Sequence, residues 1–182
     1  MDSEQRDAVV PQLRFHVLRG YLDVLRRWTA NDPSLAALSH VSGDDLFQEI
    51  MQATDALRKL MQGREQDILR SIATLSRFEW TESIIDVYPS FAAPSFSHPL
   101  NLRVVEITET GVTSRIPEET LGTLVHELGH RIAPSTAFAD RAAYEDAMGA
   151  LAVQLLREHG IDERPYVAFT RRIQRPGKPK AA

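Results

Sequence analysis

Through the first eighty positions apolar residues recur at intervals of three and four, the spacing that gathers side chains on one face of an α-helix. Pro11 suits a first helical turn, and from it Leu13, Val17, Leu18, Tyr21, Leu22, Val24, Leu25 and Trp28 keep the rhythm as far as Asn31-Asp32-Pro33. The pattern therefore predicts one helix across that stretch, then a short helical turn over Pro33 to Leu38. Ser42-Gly43-Asp44-Asp45 has the form of a helix N-cap with an acid at the third position. A second helix is expected from there to about Met61, with Phe47, Ile50, Met51, Leu57 and Leu60 inward, broken at Gly63. A third, from about Glu65 to Phe78, turns Ile68, Leu69, Ile72 and Leu75 inward. Together they predict an N-terminal helical region over residues 1–80, its three helices packed as a bundle or laid against the rest. Met51 and Met61 read as core filling, and the isolated His16 and His40 as structural or solvated side chains.

The periodicity changes at Trp80. Ile84-Ile85-Asp86-Val87-Tyr88 is short, β-branched and aromatic and stops at Pro89, so it reads as a strand. Ser90 to Pro99 reads as a loop, Leu102 to Ile107 as a second strand, Glu109-Thr110-Gly111 as a turn, and Val112 to Arg115 as a short third strand. Helical spacing then returns from Pro117 to Ile132, ended by Pro134, with Glu118 and Glu119 complementing the positive end of the helix. A last long helix is expected from about Asp140 to His159. The fold class is α+β: the helical bundle, then a small twisted sheet packed on two helices over residues 81–170.

Composition narrows the chemistry. The chain has 182 residues, 43% hydrophobic and 25% charged, ordinary values for a globular protein with room for a real core. It has no cysteine, so any metal must be held by histidine and carboxylate. No stretch approaches the ~18 apolar residues of a membrane span and no signal segment stands out, so a cytoplasmic protein without membrane attachment is expected. The net charge of −4 is uneven. Arg171, Arg172, Arg175, Lys178 and Lys180 give the C-terminal end +5, leaving −9 for the rest. With no aromatic interleaving, this end reads as a solvated basic tail over residues 171–182 rather than a nucleic-acid site.

The candidate chemistry lies in the Pro117–Ile132 helix. His126 and His130, four apart, project the same way and can share one metal ion. Glu127 sits about 100° further round, near the metal without ligating it, the place of a general base. Leu121, Leu124, Val125, Leu128 and Ile132 form the opposite face, while Glu119, Gly122, Thr123 and Gly129 surround the histidines with little bulk. A catalytic zinc takes three protein ligands, and Asp140, Glu145, Asp146 and His159 are the candidates for the third. On the last helix Tyr144, Met148, Leu151, Ala152, Leu155 and Leu156 form the inward stripe, and Glu145 falls inside it, where a carboxylate needs a partner. Asp146 points to solvent, Asp140 suits the helix N-cap, and His159 lies about 21 Å further along the helix. Glu145 is thus the expected third ligand, an ion pair with Arg141 being its alternative role.

His126-Glu-Leu-Gly-His130 followed by Glu145 at the head of an alanine-rich helix resembles the gluzincin branch of the zincin metallopeptidases. Within that branch it is similar to the small ImmA/IrrE-type and minimal gluzincin proteins. Arg131 stands where such peptidases usually carry an uncharged residue. The resemblance covers about residues 100–160 and implies a small twisted sheet over two helices, with zinc as cofactor. It further implies endopeptidase activity on a peptide or protein substrate, with His126, His130 and Glu145 as ligands and Glu127 as base. A donor for the tetrahedral oxyanion is expected from Tyr144, Tyr166, Arg171 or His98, with Tyr166 favoured because its segment must fold back over the domain. Val167 and Phe169 there read as core. A second expectation keeps the metal but not the chemistry: a regulatory or interaction protein that binds zinc for stability.

Overall fold

The computed structural model describes residues 9–91 and 95–174. Residues 11 to 28 depart first from the single helix that the apolar spacing predicts. Gln12–Phe15 is a strand, β1, and only Arg19–Trp28 is helical, as α1. Leu13 is buried between exposed Gln12 and Arg14, a period-two alternation too short to stand out from the helical rhythm around it. Trp28, read as part of the apolar stripe, is 83% exposed. A 3₁₀ segment, Pro33–His40, leads to α2, Gly43–Met61, whose N-cap Ser42 accepts from the Asp45 N–H at 3.0 Å. Ile50, Leu57 and Met61 are buried in α2, whereas Met51 is 37% exposed and fills no core. Gly63 takes φ +77°, a left-handed turn between α2 and α3, Glu65–Ser76.

Five further strands follow: β2 Ile84–Ser90, β3 Phe96–Ser97, β4 Leu100–Arg103, β5 Val105–Thr108 and β6 Gly111–Ser114. The expected loop from Ser90 to Pro99 therefore contains an edge strand, and residues 92–94 of it lie outside the described ones. The expected strand from Leu102 to Ile107 divides at Val104, whose N–H bonds to the Ser90 carbonyl while its own carbonyl accepts from Arg115. The main sheet has the order β1-β2-β4-β3. β1 and β4 run parallel to β2, Leu13 opposite Ile85 and Val87 opposite Leu100, and β3 closes one edge antiparallel to β4. Because β1 and β2 are parallel, α1, α2 and α3 form the crossover between them. The N-terminal helices are thus tied into the sheet. β5 and β6 form an antiparallel hairpin of their own.

The helix α4, Pro117–Ile132, lies at the centre, packed against α2, α3, β3, β4 and two later helices, α5 Arg141–Glu158 and α6 Arg164–Gln174. Its burial is not confined to one stripe: Thr120, Gly122, Thr123 and Gly129 are covered as fully as Leu121 and Leu128. Two glycines permit this. A Cβ on Gly122 would come within 2.4 Å of the Tyr166 ring, and one on Gly129 within 2.6 Å of Met148 Sδ. The small residues read as clearance for a ligand are where α6 and α5 approach the α4 backbone. The helix α5 turns Met148, Leu151, Ala152, Leu155 and Leu156 inward, and its N-cap Asp140 accepts from the Ala143 N–H at 2.8 Å. Arg171 and Arg172, read as the start of the tail, belong to α6; residues 175–182, with Arg175, Lys178 and Lys180, lie outside the described ones.

Candidate metal centre

His126 and His130 leave α4 towards the first turn of α5 and meet Glu145 there. The two Nε2 atoms are 3.0 Å apart, and Glu145 Oε2 lies 3.3 Å from His126 Nε2 and 3.2 Å from His130 Nε2. These three donors are near enough to hold a single metal ion. Tetrahedral ligands at about 2.0–2.1 Å from a zinc ion are themselves about 3.3–3.4 Å apart, close to the spacing found. The donor set, two imidazole nitrogens and a carboxylate oxygen, also suits a borderline dication. Burial lowers the pKa of both histidines, His126 being lowered further by His130, so both favour the neutral form that ligates.

Each ring has a support behind it. Tyr166, on α6 and 2% exposed, brings its hydroxyl to 3.2 Å from His126 Nδ1. Tyr144 sets its ring edge-on to His130, with centroids 4.4 Å apart. Its hydroxyl donates to the carbonyls of His130 and Ala133 at 3.0 and 2.8 Å, which pins the end of α4 to α5. Tyr144 is thereby committed to backbone. His130 Nδ1 is buried with no partner among the described residues. Glu145 is half-exposed, with Arg141 Nε 3.8 Å from its other oxygen, so the ion pair weighed against ligation coexists with the cluster.

Glu127 is 8% exposed, lines the same cleft, and has no hydrogen-bond partner among the described residues. Its carboxyl is pushed up to about 7, chiefly by burial and secondarily by the charge of Glu145. The Tyr166 hydroxyl is raised too, chiefly by burial, then by the charge of Glu127 and after it that of Glu145. The remaining candidates lie elsewhere. Asp146 is exposed, and His159 sits at the far end of α5 with Nε2 3.0 Å from Ser71 Oγ. His16 pairs with Asp86 at 2.7 Å.

The cleft around the cluster has a volume of about 1500 Å³. The edge strand β3 forms one wall, and His98, the residue beyond it, also borders the cleft. Arg131 holds this wall. Its Nε and Nη2 reach the two Glu82 oxygens at 2.5 and 2.6 Å, and its Nη1 reaches the Ser97 carbonyl at 2.8 Å. The charge after the second histidine thus faces the sheet edge, and the bidentate bond to Arg131 lowers the Glu82 pKa against the opposing effect of burial. Phe169, read as core, is half-buried and borders the cleft. Glu119, read as a helix-end charge, is buried against Arg115. Comparison of the chain with protein-family models, with curated proteins and with solved structures returned no match.

Proposed function

We propose that the protein is a zinc-dependent endopeptidase on a zincin-like core, with His126, His130 and Glu145 as metal ligands and Glu127 as general base. One observation carries this reading: three donor atoms from two helices converge within 3.3 Å of one another beside a buried carboxylate that no described residue hydrogen-bonds. A site serving stability alone has no use for that carboxylate.

Zinc bound there supplies Lewis acidity, which lowers the pKa of a water towards ~7 and polarises a scissile carbonyl. The remaining work falls to the chain. The Glu127 carboxylate accepts a proton from the attacking water and returns it to the amine nitrogen as the C–N bond breaks. Tyr166 positions His126: with the ring proton on Nδ1, the imidazole donates to the Tyr166 oxygen and turns an unprotonated Nε2 to the site. An extended peptide can add to the open edge of β3, which Arg131 and Glu82 hold in place, through main-chain bonds that ignore sequence.

Substituting Glu127→Gln tests the proposal. Zinc should be retained while hydrolysis of a peptide library falls by roughly 10²-fold or more, the scale of a lost general base. Wild-type protein that holds zinc yet cleaves neither the library nor any partner protein would favour the non-catalytic, metal-binding reading instead.

A further inference from the structure

Where α6 borders the cleft, cations outnumber the carboxylates that serve them. Arg103 at the end of β4, Arg115 just before α4 and Arg172 on α6 gather around Glu106 and Glu119. Glu119 takes Arg115 through Nε at 2.7 Å and through Nη2, and stands 3.8 Å from Arg172. Glu106 takes Arg172 at 2.9 Å. The Arg115 guanidinium also lies 4.0 Å above the Phe169 ring. Arg103 is left over. Among the described residues its guanidinium makes one hydrogen bond, from Nε to the Val105 carbonyl at 3.2 Å, and no carboxylate pairs with it. It is half-buried and borders the same cleft as the histidines. Burial depresses its pKa, with Arg115 and Arg172 adding to the effect and Glu106 and Glu119 opposing it. Ser95 lies beside it, its Oγ accepting the Arg103 backbone N–H at 3.0 Å and keeping its own proton to donate.

A half-buried guanidinium that, among the described residues, is hydrogen-bonded through Nε alone has the planar fork that a carboxylate fills with two parallel bonds. We propose that Arg103 is the specificity determinant of the cleft and binds a carboxylate of the peptide lying there, either an Asp or Glu side chain or a free C-terminus. The substrate role rests on the peptidase reading; the binding claim does not.

The test uses the full chain carrying Glu127→Gln, loaded with zinc, and fluorescence anisotropy of labelled peptides. The peptides place Asp or Glu against Asn or Gln at each position, with the C-terminus free or amidated. Acid-bearing peptides should bind roughly tenfold tighter or better, the scale of one charge-assisted bond, and the preference should shrink with salt. It should vanish in Arg103→Met and weaken without vanishing in Arg103→Lys, which keeps the charge but not the fork. Loss on Asp-to-Asn exchange assigns the side chain, and loss on amidation assigns the terminus. Equal binding of acidic and neutral peptides, no binding of either, or a preference that persists in folded Arg103→Met overturns the proposal. Should Arg103→Met fail to fold, Arg103→Gln is read by the same criterion. Wild-type cleavage of acidic and neutral peptides at equal kcat/KM removes the subsite and leaves the peptidase. Acid-selective binding through Arg103 with no cleavage does the reverse.

Discussion

Replacing Gly122 by alanine isolates the contact that seats α6 over the histidine pair. A Cβ at this position meets Cγ, Cδ2 and Cβ of Tyr166 at 2.4, 2.5 and 2.8 Å. Carbon contacts normally lie about 3.5–4.0 Å apart, so the two helices must separate locally by about 1 Å. Rotation of the ring gives no relief, because the clashing atoms are at the root of a side chain only 2% exposed. Two effects compete. Alanine in a helix interior gains about 1 kcal/mol over glycine, whereas overpacking costs about 1–3 kcal/mol. Displacing Tyr166 also forfeits its hydrogen bond to His126, about 1 kcal/mol. The balance is a destabilisation of about 1–3 kcal/mol, read from the midpoint of urea unfolding. In a Tyr166→Gly background all three clashing atoms are gone, and the same substitution should stabilise by up to about 1 kcal/mol. The reasoning is refuted if Gly122→Ala stabilises the wild type as much as it stabilises that background.

Two further substitutions probe the charges around the cleft. Glu119→Ala leaves the Arg115 guanidinium, in a residue 5% exposed, without its carboxylate and should cost about 3–5 kcal/mol in urea unfolding; a loss under about 1 kcal/mol would show that water reaches the pair. Arg131→Met releases the Ser97 carbonyl and the β3 edge, so KM for peptides should rise several-fold with zinc content unchanged, and a change in kcat alone would contradict the edge-binding role. The same variant has a signature in pH. The Glu82 pKa is lowered from 4.5 in the folded state by its bond to Arg131, so the pair stabilises above that value and the contribution is lost as pH falls through the folded pKa. With Glu82 more than a third exposed, that contribution is below about 1 kcal/mol, and Arg131→Met should flatten the acid side of the stability profile.

What could be read from the chain were features carried by local spacing. The limits of α4, the caps at Ser42 and Asp140, and the inward stripe of α5 each depend on residues within one or two turns of each other. The convergence of Glu145 on the histidines was legible for a related reason: a carboxylate set into an apolar stripe is conspicuous. What escaped depends on distant partners. The strand β1 takes its pairing from β2, some seventy residues later, and its single buried Leu13 also fits a helical rhythm. Glycines at 122 and 129 looked like space for a ligand because nothing local indicates that Tyr166 and Met148 fill it. Arg131 looked out of place until Glu82 and Ser97 stood opposite, and Arg172 reaches Glu106 only because α6 folds back.

The central claim is that two helices build a metal site, and metal content tests it most directly. The full chain, reconstituted with zinc and dialysed against buffer without chelator, should hold stoichiometric zinc by elemental analysis. Glu145→Ala should lose it under the same dialysis, while Glu127→Gln and Arg141→Ala keep it, since neither supplies a donor atom. Full zinc occupancy in Glu145→Ala, or none in the wild type, would contradict the account.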